Sequence, residues 1–324
     1  MTTLVRTAAP RTADPQVLAD QAASAFDRGD LEAARRCYTA LLQEHESAEA
    51  HYMLALACKY RGEWQAALQH NLRSLELRND TDEPTAWNAA IAATALGDWT
   101  QARRLWARCG VEVPAGDGPI HGNFGIASVR LNAWGDSETL FARRIDPVRA
   151  RLINVPLPES GYRYGDIVLH DGTATGTRQA GAATVPVFNA LARLEVSVFR
   201  TCTAFVGCAS PEDADALTGA CGPGIGHIED WTRSISHYCL RCSAGLPHED
   251  DDDEACEAAD EQWDTLRTFG IAAQSPRAVE KLLRDWKADG SGRRVQGIES
   301  RELRAPTPPA GTVWWRLPGD ASES

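Results

Sequence analysis

Five side chains between positions 237 and 256 have the types and spacing to hold a metal: His237, Cys239, Cys242, His248 and, further on, Cys256. A Cys-x-x-Cys turn presents two thiolates to one tetrahedral ion, and a nearby His or third Cys completes the shell. The cofactor this pattern predicts is one structural zinc on Cys239, Cys242 and His248, with His237 or Cys256 as the fourth ligand. The set has no second Cys-x-x-Cys and no His-x-x-x-His, so a connecting loop with two ordinary thiols is the competing reading. A redox role fits less well. That motif opens a helix after a strand, whereas this pair runs from an extended stretch into a polar loop.

Other chemistry-bearing groups have plainer explanations. Glu249 to Glu254 is a run of six carboxylates, and such runs are solvated, self-repelling loops. His170-Asp171 has the types of an acid/base or metal pair, but a strand ending in Asp171-Gly172 is the ordinary start of a tight turn. The glycines of Gly222-Pro223-Gly224-Ile225-Gly226 lie between a helix and a strand, the reverse of a phosphate loop. No Gly-x-Ser-x-Gly nucleophile motif is present. The sequence therefore leans against an enzyme. The enzyme reading that survives is a zinc-dependent hydrolase centred on Cys239 and Cys242, and thiolate-rich zinc is more often structural than catalytic.

The elements that must position these groups are bounded by composition. The 324 residues carry a formal net charge of −12, with scattered arginines, which disfavours a nucleic-acid partner. Met1 to Arg11 lacks the apolar core of a secretory signal, and no run approaches the roughly 18 apolar residues of a membrane span. A soluble cytoplasmic protein without a membrane partner is expected. Nine cysteines, an odd and scattered set, fit reduced thiols better than a disulfide framework.

The strongest pattern is periodic. Gly29-Asp30-Leu31, Gly62-Glu63-Trp64 and Gly97-Asp98-Trp99 recur at spacings of 33 and 35, each followed at one offset by an alanine: Ala34, Ala67 and Ala102. A glycine that ends one helix and a small residue that lets the next approach it predict three helical hairpins over 14–110, opened by the Asp14-Pro15 cap. On these residues the segment resembles three tetratricopeptide repeats, with Ala22, Ala55 and Ala90 where that family has glycine. The resemblance implies a groove on the first helix of each hairpin for a peptide or partner helix. Laid on this chain, the groove positions include Glu49, Tyr52, Leu56, Lys59, Tyr60, Trp87, Asn88 and Ile91. Tyr52 and Trp87 have a competing role, filling the groove from within. The basic set that takes chaperone tails in that family is absent: Ala19, Ala23, Met53 and Pro84 stand at its places, and only Asn88 fits.

Beyond Gly110 the pattern changes to period two, over Ile126 to Leu131, Leu140 to Ile145, Val148 to Val155 and Asp166 to Leu169, with turns at Trp134-Gly135-Asp136 and Asp171-Gly172. These short strands predict a small β-barrel or rolled sheet. From residue 196 two strand–helix–strand patterns follow, Phe199 to Val206 with a helix from Ser210-Pro211, and Arg267 to Ala273 with a helix from Ser275-Pro276. Their second extended stretches are Ile228 to His237 and Val295 to Leu303. Two such units in series predict a ferredoxin-like βαββαβ domain.

The expected architecture is thus multidomain α+β: a tail over 1–13, three hairpins over 14–110, a small β domain over 111–195, a ferredoxin-like domain over 196–304 with a loop insertion at 238–265, and a tail over 305–324. The expected function is a protein-interaction scaffold or adaptor, including a regulator or immunity-type inhibitor, with a protein or peptide as partner. An RNA-binding sheet is disfavoured because the chain lacks a basic surface.

Overall fold

The computed structural model describes residues 14–79, 82–235, 240–246 and 263–316. The chain is mixed α+β, with a helical N-terminal region and two sheets. Among the described residues, those up to Gly110 together with Ala310–Val313 form one compact unit, and Val111–Pro309 with 314–316 form a second.

In the first unit six helices follow in order: α1 (Pro15–Asp27), α2 (Leu31–Glu44), α3 (Ala48–Tyr60), α4 (Trp64–Leu77), α5 (Glu83–Leu96) and α6 (Trp99–Arg108). Each packs on the next, and α3 also meets α5. The three hairpin turns close in one way. Gly29, Gly62 and Gly97 adopt φ of 77°, 73° and 71°, and the next amide bonds back to the helix: Asp30 N to Ala25 O at 2.9 Å, Glu63 N to Cys58 O at 2.9 Å, Asp98 N to Ala93 O at 3.0 Å. This closure satisfies carbonyls left open at the helix end and needs a residue that tolerates positive φ. Asp30 and Asp98 then cap the following helix, accepting from Ala33 N at 2.9 Å and Gln101 N at 3.0 Å. Glu63 makes no such cap. Ala34, Ala67 and Ala102 are wholly buried, as are Ala22, Ala55 and Ala90, so each helix pair meets through alanines.

The second unit begins with a closed five-stranded barrel: β1 (Ile126–Leu131), β2 (Glu138–Arg144), β3 (Arg149–Leu152), β4 (Ile167–Ala180) and β5 (Ala183–Glu195). Neighbours are antiparallel except β1 and β5, which close the barrel in parallel with Val129 opposite Phe188. Val129, Leu131, Leu140, Ala142, Leu152 and Val168 fill its core. The turn expected at Asp171-Gly172 is not one. β4 runs through it to Ala180, with register shifts between Leu169 and Ala174, and the chain reverses at Gly181. A longer ladder outweighs a local turn signal.

The second sheet is built from β6 (Arg200–Gly207), α7 (Pro211–Thr218), β7 (Ile225–Asp230), α8 (Trp231–Ser234), α9 (Leu240–Ala244), β8 (Leu266–Ala273), α10 (Pro276–Ala288) and β9 (Arg294–Ser300). Its order is β7-β8-β6-β9, antiparallel throughout. Leu217 of α7 and Val279, Leu283 and Trp286 of α10 pack with Cys202, Val206, Phe269 and Ile271 of the sheet. The extended stretch expected over Ile228 to His237 ends instead at Asp230, whose carboxylate accepts from Thr232 N at 3.0 Å and so starts α8. A side-chain cap stops the strand there.

Candidate functional site

The positions expected to form a groove lie on α3 and α5. Along α3, Ala50, His51, Leu54, Ala55, Ala57 and Cys58 face inward and are buried. Glu49 is exposed and Tyr52, Leu56 and Tyr60 keep part of their surface. Two expected groove residues are not open to a partner: Ile91 is wholly buried and Lys59 is 4% exposed. Lys59 Nζ donates to Asn88 Oδ1 at 2.9 Å, bridging α3 to α5, and lies 4.8 Å from the Tyr60 ring centroid. Asn88 in turn donates to Pro84 O at 2.9 Å.

Trp87 is half-buried and packs edge-on against the wholly buried Trp106, with centroids 5.0 Å apart, so part of its surface serves the hairpin itself. Tyr60 packs against Phe26 with centroids 6.3 Å apart, and the Arg78 guanidinium lies 5.9 Å from the Tyr52 ring. The result is a half-exposed stripe of Tyr52, Leu56 and Tyr60, with Glu49 at its start, suited to apolar and aromatic contact.

Three of the four expected zinc ligands, His237, Cys239 and His248, and also Cys256, lie outside the described residues. Among the described residues no group of three or more metal-ligating side chains converges. Cys242 does not enter a polar loop; it sits on α9, which lies on the barrel. There Thr139 Oγ1 donates to Ser243 O at 3.0 Å, Thr175 Oγ1 to Ala244 O at 2.8 Å and Thr177 N to Gly245 O at 2.8 Å. Residues 243–245 are therefore tied down on β2 and β4 of the barrel.

His170 and Asp171 do not form an acid/base pair. His170 is wholly buried, stacked on Phe188 at 4.4 Å, with Nδ1 on Asp171 O at 2.7 Å. Its Nε2 has no partner among the described residues. Burial pushes its pKa down to about 4, helped by the Arg144 cation and opposed by the Asp171 carbonyl. The ring is neutral at neutral pH and packs as an aromatic.

At the seam between barrel and sheet, Glu138 accepts from Leu157 N at 3.0 and 3.1 Å, and Glu229 accepts from Asn154 Nδ2 at 2.8 Å and Val155 N at 3.1 Å. Burial pushes Glu138 up to about 8, which the Leu157 amide only partly offsets. Both carboxylates are engaged by the backbone or side chains of the β3–β4 connection, and they brace the seam.

A second site escaped the sequence. A cavity of about 310 Å³ in the second unit is lined by Arg163, Arg193, Arg200, Arg301 and Arg304 with Glu302 as its one lining carboxylate. Arg163 bonds Ser197 O at 2.9 Å and Glu302; Arg200 lies 3.4 Å from the same Glu302. Arg193 donates to Gly161 O at 2.6 Å and pairs with the buried Asp166 at 3.3 Å. Arg301 pairs with Glu299 at 2.8 Å. Gly161, at φ 73°, is crossed so closely by the chain at Arg304 and Ala305 that a Cβ would collide with their backbone. These arginines come from four separate segments, and nothing in their local spacing marks them as a set.

No protein-family model matches the chain, and no curated protein matches it at a significant level. No described helix is long and apolar enough to cross a membrane.

Proposed function

We propose that this protein is a cytoplasmic interaction adaptor whose helical unit is a tetratricopeptide-like array that takes a segment of a partner protein on α3. The observation that carries this reading is the stripe of Tyr52, Leu56 and Tyr60, spaced four residues apart, which stays partly exposed on α3 while Leu54, Ala55, Ala57 and Cys58 are buried. The repeated glycine closure and the buried alanine pairs support the family resemblance, because both answer the packing demand of that repeat. The strand order β7-β8-β6-β9, in which α7 links β6 to β7 past β8 and α10 links β8 to β9 past β6, supports a ferredoxin-like layout for the second sheet. That layout adds no function by itself.

The test is affinity purification of the tagged full chain from its native host, followed by binding measurements on the partner recovered. Tyr52→Ala and Tyr60→Ala together are expected to weaken that partner by about 2 kcal/mol or more, the cost typical of aromatic anchors. A folded double variant that binds as tightly as the parent refutes the α3 stripe as the docking face. Recovery of no stoichiometric partner refutes the adaptor reading.

A further inference from the structure

We propose that the arginine-lined cleft of the second unit is a binding site for a small, soluble, phosphate-bearing molecule. Five guanidinium groups and one carboxylate line it, in a chain whose net charge is −12. Glu302, Asp166 and Glu299 pair with four of the five, three carboxylates against five guanidinium groups, and an anionic ligand offsets the positive charge that remains. Guanidinium is the side chain whose planar fork matches phosphate oxygens two at a time.

The internal contacts show where the anion sits. Glu302 lies between Arg163 and Arg200, a carboxylate of this chain holding the position that ligand oxygens would share. Arg304 has no hydrogen bond or ion pair among the described residues, so its donors remain for a ligand. The cleft is preformed: the chain carrying Arg301 to Arg304 is seated on Gly161, where only glycine leaves room. Val196, 58% exposed, and Leu303, 50% exposed, give the lining an apolar flank for the rest of the molecule. The volume lies at the small end of the roughly 300–1,000 Å³ of ligand pockets, which fits a compact metabolite and not a nucleic-acid strand.

The test is calorimetric titration of the full chain with inorganic pyrophosphate, with citrate as a phosphate-free polyanion. Pyrophosphate is expected to bind saturably at one site and more tightly than citrate. Arg304→Gln should weaken it on the order of tenfold, the usual scale for a hydrogen bond to a charged group, and Glu302→Gln should tighten it. Arg284→Gln removes the same charge from an exposed position on α10 and should leave binding unchanged. Each variant is compared with the parent by circular dichroism; Arg304 is exposed, so its replacement is not expected to disturb the fold. No saturable binding overturns the proposal, as does an equal loss in Arg284→Gln and Arg304→Gln. Citrate binding as tight as pyrophosphate reassigns the cleft to carboxylates. Sedimentation with phosphatidylglycerol vesicles that depends on Arg304 overturns the soluble ligand in favour of a membrane surface.

Discussion

Acid should loosen the barrel through one histidine. His170 is wholly buried against Phe188, and its pKa falls from the ordinary 6.5 to about 4, chiefly because burial disfavours the imidazolium. In the unfolded chain the ring takes up a proton near its ordinary value, so between the two values the unfolded state binds more protons than the folded one. The stability this group confers is complete above the unfolded value and is lost as pH falls toward the folded one. At roughly 1.4 kcal/mol per pKa unit the full loss is about 3 kcal/mol, of which about 2 kcal/mol should be gone between about pH 7.5 and about pH 5.

The measurement is reversible urea unfolding of the full chain at both pH values, for the parent and for His170→Asn. Asparagine retains a donor toward Asp171 O but does not titrate. The variant should be less stable at neutral pH, since it loses the ring stacked on Phe188, yet it should lose about 2 kcal/mol less than the parent on acidification. His70, whose pKa burial lowers, is common to both proteins and cancels in the difference. Equal losses in parent and variant would refute the reasoning.

The remaining predictions address packing, ion pairing and the metal. Ala67→Leu should destabilise the helical unit by about 1–3 kcal/mol through overpacking of a wholly buried contact; an unchanged thermal midpoint in circular dichroism would contradict it. Asp146→Ala should cost about 3–5 kcal/mol, because it removes the carboxylate that pairs with the buried Arg149 guanidinium; chemical denaturation measures this directly. Glu138 has a folded pKa raised from 4.5 to about 8, so its contribution is complete below the lower value and is lost as pH rises through the upper one. Glu138→Gln should therefore gain on the parent toward alkaline pH, and thermal melts showing the same difference at acid and alkaline pH would count against that. If Cys239, Cys242, His248 and His237 hold a structural zinc, untagged protein prepared without chelator should contain one zinc per chain by elemental analysis, and much less than one removes the metal.

The helical region was legible because its determinants are local and recur. A left-handed glycine and a small residue at one offset answer a steric demand within each hairpin, and the chain repeats that answer at Gly29, Gly62 and Gly97. The two sheets were legible as strand patterns for the same reason, since alternation along β2, with Leu140 and Ala142 buried and Phe141 and Arg143 not, reports which face is buried. Their extents were not. Asp171-Gly172 carries the local signature of a turn, and only pairing with β5 as far as Ala180 keeps it in a strand. At Asp230 a side-chain cap ended a strand that its sequence continued. On α3 and α5 a helical pattern placed the groove positions on one face, but neighbouring helices decided that Lys59 and Ile91 are buried while Tyr52 and Tyr60 are not. Tertiary structure alone decided the parallel closure of β1 on β5 and the meeting of Arg163, Arg193, Arg200 and Arg304 around one cavity. Those contacts join residues far apart in the chain, and no local preference of an arginine records which distant segment will fold beside it.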